Sequence, residues 1–498
     1  MKRILSALLT ALMLLTIVAC TPNETNSTPA TESTATSTDV SSDVSEEIYK
    51  KPDKFYKDRT LSILGKREGA HFYSERQWIY NEELDGEIIN DNVFIRNEWI
   101  KETFGVTIEY TADTEYFILD TVIQNKNADF DEYDLVCDGL TTMGSLAIQG
   151  ALDPLNDTEY INVEAPYWDN RCTDALTIGD NVYFLAGDAF ITDDEYTYCV
   201  LYNKTMFQDL ALNSETDGKD VYTVVDEGKW TYDVYGKLSK AAAADIDGVS
   251  GMSHESDRWG IVSDTGCVYV MMAGSGYKTI GFDGDGELIV NPLDENAVNV
   301  FNAVSEVLNR AESSKYAERI VASDGQYYAA AERMFGENRS FSQICKVNSV
   351  SSYASNFDVD FGVLPIPKYT DDQDGYYNSV ACLHFSTIGI PTTNTEDAEM
   401  TRVVMEALAY KGQELITPAY IETTLKLKKL QDERDVKMLE LVLKTRSFDI
   451  GVIYDIGKLS GFHGKFAATG NTNITSEWQG IQGAIEVDLN KLKAAFNS

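Results

Sequence analysis

Apolar positions between residues 55 and 140 follow two alternating periods. Residues 60–64 (TLSIL) are short and rich in branched side chains, which predicts a strand. Residues 91–103 (DNVFIRNEWIKET) put Val93, Phe94, Asn97, Ile100 and Lys101 on one side of a helix, and Gly105 ends it. Residues 106–110 predict a second strand, 117–125 a helix, and 133–137 a third strand stopped by Asp138 and Gly139. Strand, helix, strand, helix, strand is the order of a parallel α/β sheet.

Further along, residues 151–155 read as a turn, and 182–185 and 197–202 as strands. Trp230 and Thr231 open a helix running to Ala244, with Thr231 as its cap. Residues 279–290 (TIGFDGDGELIV) predict a hairpin with Asp-Gly turn chemistry. An amphipathic helix is expected over 295–312, strands over 361–365 and 384–390, and a helix over 396–410. Residues 413–443 are mostly helical in pattern, with a break expected at Pro418. No internal repeat is seen.

The N-terminus has a different character. Lys2 and Arg3 precede an apolar stretch from Ile4 to Ala19, and Cys20 follows Ile17-Val18-Ala19. A charged start, an apolar middle and small residues before a cut make a secretory signal. With Cys immediately after the cut it resembles a bacterial lipoprotein signal, which implies lipidation of Cys20 and a place at the extracytoplasmic face of the cell membrane. The apolar run is short for a span, which needs about 20 residues. Residues 21–45 hold 13 Ser or Thr and no Leu, Ile or aromatic residue. Such a segment cannot bury enough apolar surface to fold, and a coil of that length reaches roughly 25–30 Å. The expected organisation is a signal peptide over 1–19, a lipid-anchored tether over 20–54, and a folded body after it.

Composition narrows the function. At 498 residues, with 43% hydrophobic and 11% aromatic content, the body has room for more than one core. The net charge of -39, from 41 Lys+Arg against 80 Asp+Glu, leaves no basic patch for nucleic acid and disfavours polyanions. Cys137, Cys172, Cys199, Cys267, Cys345 and Cys382 show no CxxC, and burial unpaired is the expectation for those in strand-like contexts. The four His, at 71, 254, 384 and 463, have no metal-ligand spacing. There is no G-x-S-x-G elbow and no P-loop. Asp283, Asp285 and Glu287 look faintly like a calcium loop, but the pattern is broken at Glu287 and Leu288, and a hairpin turn is the better reading. No catalytic group, metal or cofactor is singled out. The remaining resource is aromatic: six Trp and 28 Tyr, able to stack on sugar rings beside polar groups.

Several segments together resemble the extracellular solute-binding proteins of ABC importers, in particular the large family with carbohydrate-binding members. They are residues 150–155 (GALDPL), Trp168, residues 202–204 (YNK), Trp230-Thr231, residues 361–368 (FGVLPIPK), residues 371–377, Ile390-Pro391 and the helical tail. The resemblance runs over roughly residues 55–498. It implies an α/β, two-lobed periplasmic-binding-protein-like fold with crossing hinge strands and a helical C-terminal region. Crossings are expected at 197–202, 332–335 and 384–390. Lobe one would be 55–200 with 336–383, and lobe two 201–335 with 384–498, the tail packing on lobe two. It further implies a monomer without enzymatic activity, a small solute such as a carbohydrate held between the lobes, and ABC permease subunits as partners. Residues expected at the cleft are Glu68 and His71 after the first strand, Asp138 and Thr141 after the third, and the aromatics Trp168 and Trp259. An anchored glycan hydrolase and a lipoprotein feeding a membrane sensor are the alternative readings.

Overall fold

The computed structural model describes residues 48–67, 75–156, 158–179, 181–321, 325–426 and 432–496. Cys20, the signal, most of the tether, Glu68 and His71 lie outside them. Among the described residues no helix is long and apolar enough to cross a membrane. The strands are β1 (Arg59–Gly65), β2 (Val106–Ala112), β3 (Leu135–Gly139), β4 (Tyr198–Asn203), β5 (Trp259–Ser263), β6 (Ile280–Phe282) and β7 (Leu288–Val290). They continue with β8 (Ser314–Tyr316), β9 (Ser340–Lys346), β10 (Phe361–Leu364), β11 (Asn378–Ser379), β12 (Ser386–Gly389) and β13 (Arg446–Ser447).

Two sheets organise the body. The first has the order β12-β3-β1-β2, with β1, β2 and β3 parallel and β12 antiparallel at its edge. The second has the order β10-β4-β9-β5-β8, in which β4 alone runs against the rest. The expected βαβαβ start is present. The helix Ile88–Phe104 begins where the Glu87 carboxylate accepts from the N–H groups of Ile89 and Asn90, satisfying two orphan donors. It ends at Gly105, whose φ of 73° is the left-handed value a glycine C-cap adopts without strain. Thr231 caps the helix Tyr232–Ala242 by accepting from Val234 N. The hairpin β6–β7 forms around Asp283, whose Oδ1 accepts from Asp285 N and Glu287 N at 2.9 Å each.

Strand pairing corrects the expected division into lobes. Residues 336–383 do not return to lobe one: β9 flanks β4, and β10 pairs Leu364 with Val200. Residues 384–498 do not all join lobe two. β12 pairs with β3, and the helix Ala398–Lys426 packs on the helix Ile88–Phe104 over β1. Leu61, Ile63, Val93, Ile100, Phe104, Val404 and Leu408 form one core there. The crossing expected at 332–335 lies inside the helix Tyr327–Gly336 and crosses nothing. Residues 182–185 are no regular strand; Leu185 alone bridges to Ile388.

Pro418 does not break its helix, which continues to Lys426. A helix-interior proline costs about 3 kcal/mol. The flanking residues Ile416, Ala419 and Tyr420 are buried, and their packing offsets that cost. At Gly412 a β-carbon would stand 1.8 Å from the Asp188 carbonyl oxygen, so the loop lies directly on the helix backbone. The C-terminal helix Ile474–Phe496 packs on both lobes rather than on lobe two: it touches the helix Leu140–Ile148 on one side, and β7 and the helix Glu295–Leu308 on the other.

Charge also joins the lobes. Arg446, on β13 beside β11, reaches three carboxylates that precede the first crossing. Its Nε lies 3.0 Å from Asp169 Oδ2, and its two terminal nitrogens lie 3.6 Å from Asp193 Oδ2 and 2.7 Å from Asp194 Oδ1. Burial pushes the Asp193 carboxyl up, reinforced by Asp194, while Arg446 pulls it down. Removing one partner of a buried charge cluster costs about 3–5 kcal/mol, because the others are left uncompensated. Arg446→Met is therefore expected to lower unfolding free energy in urea by about that amount; a loss under about 1 kcal/mol would mean that water screens the cluster.

Candidate functional site

The direction of the strands locates the site. β1, β2 and β3 end on one edge of the first sheet, and β12, running the other way, enters at that same edge through Ser386. In the second sheet β5, β8, β9 and β10 end on one edge, and β4 enters there through Tyr198. The two segments that pass between the lobes, 196–198 and 380–385, lie side by side, with Thr197 bridged to Val380. The carboxyl edges of both sheets thus open on one seam, the place where open α/β sheets bind ligands.

On the first-lobe side of the seam is a buried polar network. Lys66 follows β1, and its Nζ stands 3.1 Å from Glu75 Oε1 and 3.9 Å from Asp138 Oδ1. It donates to Ser386 Oγ at 2.9 Å, and Ser386 Oγ donates in turn to Glu75 Oε1 at 2.7 Å. Asp138 Oδ2 accepts from Ile118 N at 3.0 Å, and Oδ1 from Gly139 N at 2.6 Å. Lys66, at 3% exposure, is the least buried of these four side chains. Burial pushes the Asp138 carboxyl up to about 7; Lys66 opposes this and Glu75 adds to it. Thr141, half-buried, begins the helix after β3, and its N–H donates to the Cys382 carbonyl at 3.4 Å.

Across the seam, Lys346 at the end of β9 lies 3.5 Å from Asp264 Oδ2, with its ammonium 5.1 Å from the Tyr198 ring centre. Glu318, after β8, accepts from Thr265 N at 3.1 Å and from the exposed Tyr328 hydroxyl at 3.1 Å. His384, on the crossing segment, packs 5.6 Å from Tyr196 ring to ring. Its imidazole is held down to about 3 by burial first, then by Lys66 and Lys346. The field of one lysine from each lobe on a single imidazole marks His384 as the point where the two sides meet.

Of the residues expected at the cleft, the structure brings Asp138 and Thr141 to the seam. Trp168 and Trp259 are placed elsewhere. Trp168 is 3% exposed within the first-lobe core, and its Nε1 donates to Glu406 Oε2 at 3.1 Å. Trp259 is 2% exposed at the amino end of β5, away from the carboxyl edge, and its Nε1 donates to the Ser253 carbonyl at 3.0 Å. Both indoles fill core and satisfy their one donor internally, so neither presents a face to solute. Lys66, Glu75, His384, Ser386, Glu318 and Lys346 were not among the expected residues. For Lys66 and Ser386 the available signal was a polar residue at the end of an apolar strand, as at Asp138.

No protein-family model matches the chain, and no curated protein matches its sequence. Solved structures do. The galacto-N-biose/lacto-N-biose I-binding protein of the Bifidobacterium longum ABC transporter, in complex with lacto-N-biose, superposes at a TM-score of 0.57 with 11% identity, covering 89% of this chain and 99% of that one. UgpB of Mycobacterium tuberculosis, with glycerophosphocholine, gives 0.55 at 13% identity over 87% and 98%. The maltose/maltodextrin-binding domain MalE of Bdellovibrio bacteriovorus, with maltotriose, gives 0.52 at 14% over 88% and 98%. The fold is therefore the two-lobed fold of periplasmic binding proteins. This chain spans nearly the whole length of each of those three proteins.

Two outcomes follow from the geometry. Trp259→Ala is expected to lose about 3–5 kcal/mol of stability by chemical denaturation; weakened solute binding at unchanged stability would return Trp259 to the cleft. The second concerns Asp138, whose folded value of about 7 stands above an ordinary value of 3.8. Between those limits the folded state holds a proton that the unfolded state has released, so this group's contribution to stability falls as pH rises from about 4 to 7. Asp138→Asn should gain on the parent protein across that window by as much as about 4 kcal/mol, whatever fixed cost the substitution carries. Parallel stability curves for the two proteins would refute the raised value.

Proposed function

We propose that the protein is an extracytoplasmic solute receptor, lipid-anchored through Cys20, that captures a carbohydrate between its lobes and delivers it to an ABC permease. The observation carrying this reading is the convergence of both sheets' carboxyl edges on one seam beside two crossing segments. That arrangement lets a ligand touch both lobes at once, so binding energy can shift a hinge equilibrium. The solved structures sharing the fold include proteins in complex with lacto-N-biose, maltotriose and maltotetraose, which supports a sugar as the solute. The seam's polar inventory suits such a ligand. Glu318 and Asp264 can accept hydrogen bonds from hydroxyls, and the exposed Tyr328 offers a ring to an apolar sugar face. The Ile17-Val-Ala-Cys20 sequence and the Ser/Thr-rich segment after it supply the anchor and reach of the proposal.

A thermal-shift screen against mono- and oligosaccharides tests the reading directly. A solute that binds only the folded state raises apparent stability, by about 2.7 kcal/mol at a hundredfold excess over Kd. At least one sugar should give a saturable shift, and Glu318→Gln together with Tyr328→Ala should weaken it by about tenfold or more, a change worth about 1.4 kcal/mol. Saturable shifts with peptides alone would overturn the carbohydrate assignment. Turnover of an oligosaccharide by the purified protein would overturn the receptor reading in favour of a hydrolase.

A further inference from the structure

A cavity of about 230 Å³ opens in the first lobe where the described chain begins. It shares no residue with the interlobe seam. Its walls come from residues 48–52, the loop 159–162, Tyr167 and the helix Ala398–Lys426. Glu406 of that helix lines it and is 4% exposed. Glu406 Oε1 accepts from Asn162 N at 3.0 Å and from the Tyr167 hydroxyl at 2.5 Å, and Oε2 accepts from Trp168 Nε1 at 3.1 Å. All three donors are neutral, and no cation among the described residues forms an ion pair with this carboxylate.

The second observation is Tyr49. It is 8% exposed and lines the same cavity, and its ring stacks on Tyr410 with centres 4.1 Å apart. Its hydroxyl oxygen is buried without a hydrogen-bond partner, close enough to Glu406 to feel its charge. An unpaired buried hydroxyl costs about 1–3 kcal/mol, so this wall is complete only when a donor reaches the Tyr49 oxygen. Tyr160 and Tyr167 add two more aromatic rings to the wall.

We propose that this cavity is a second binding site, which takes a primary ammonium group with Glu406 as counter-ion and the Tyr49 oxygen as an added acceptor. The chemistry selects among ligands. Burial pushes the Glu406 carboxyl up to about 7 against the pull of its three hydrogen bonds, so above that pH the buried charge is negative, which rejects anions and strengthens ammonium binding. The Tyr49 oxygen lacks a donor, which favours an N–H-bearing ammonium over a quaternary one. Tyrosine rings around a desolvated cation contribute about 0.5–2 kcal/mol. Lys50 stands exposed at the rim and forms no ion pair with Glu406 among the described residues. The ammonium can come from a small free amine or from a lysine side chain of a peptide.

The test is calorimetric titration of the full chain with n-butylammonium chloride, with tetramethylammonium chloride, and with a blocked Gly-Lys-Gly peptide. Saturable butylammonium binding, with tetramethylammonium at least about tenfold weaker, supports the site. The peptide arm assigns the source: equal or tighter peptide binding points to a protein-borne lysine, and weaker binding to a free amine. Glu406→Gln should abolish the signal. Tyr160→Ala, whose ring also carries the Lys54 ammonium at 5.6 Å, should weaken it by about 3- to 10-fold at an unchanged circular-dichroism spectrum, while any sugar-induced thermal shift stays unchanged. No saturable binding of any of the three probes, or equal affinity for the primary and quaternary ions, overturns the proposal. Neither result bears on whether the seam binds sugar, which the thermal-shift screen reads separately.

Discussion

Arg446 places one guanidinium among three carboxylates of the first lobe, and the geometry between the lobes is built around that contact. Taking four charged groups out of water is costly, and mutual attraction repays the cost only where additional hydrogen bonds satisfy them. Some of those bonds are present, while Asp169 Oδ2 and Arg446 Nε meet as an ion pair without a hydrogen bond. Asp169 caps the helix Asn170–Leu176 by accepting from Arg171 N and Cys172 N. Asp194 accepts directly from Arg446 at 2.7 Å. Asp193 and Asp194 sit immediately before the chain leaves the first lobe, and Arg446 follows the helix Glu433–Lys444, which packs on β10 of the second. A large separation of the lobes would have to break this cluster or carry one side's partners with it.

The short helix Thr192–Glu195, which holds Asp193 and Asp194, connects the cluster to the seam. Thr192 Oγ1 donates to the Ser386 carbonyl at 3.2 Å and accepts from Ser386 N at 3.1 Å. Ser386 then carries the polar network on to Lys66, Glu75 and Asp138. One chain of charged and hydrogen-bonded groups therefore runs from the inter-lobe clasp to the rim where solute is proposed to bind. Such buried networks are stabilising only when every member is satisfied, so a ligand that moves Lys66 or Ser386 has a physical route to the clasp. The apolar counterpart is the C-terminal helix, which joins the two lobes' cores and limits how the clasp can move.

Local sequence carried the elements well and their partners poorly. The βαβαβ start, the Gly105 stop, the Thr231 cap and the Asp-Gly hairpin each rest on chemistry confined to a few residues, and each is present. The lobe boundaries did not follow, because period-2 patterning says that 384–390 is a strand and nothing about which sheet takes it. β12 joins β3, some 250 residues earlier in the chain. Pro418 misled for a related reason: propensity is local, and the buried side chains around it come from tertiary packing. At the site, Asp138 was legible as a polar residue ending an apolar strand. Lys66 and Ser386 make their hydrogen bond across 320 positions, a pairing no spacing rule contains. Trp168 and Trp259 were expected at the cleft as aromatics, and each indole instead finds its acceptor inside the fold.

The balance of charge at the seam bears on what kind of solute belongs there. The chain as a whole is strongly acidic at -39, yet at the crossing segment burial keeps His384 neutral and two flanking lysines reinforce it. Each lysine already faces a carboxylate, Lys66 with Glu75 and Lys346 with Asp264. The positive charges are therefore spent within the protein, and what remains open to a ligand is the half-exposed layer of hydroxyl, carboxylate and ring around them. A fully charged anion would have to break one of those pairs to gain a partner and would meet the acidic field outside first. A neutral polyol pays neither cost. At the proposed site it would exchange water's hydrogen bonds for those of Asp264 and Glu318 and lay an apolar face on Tyr328, so the electrostatics of the seam and the proposed sugar point the same way.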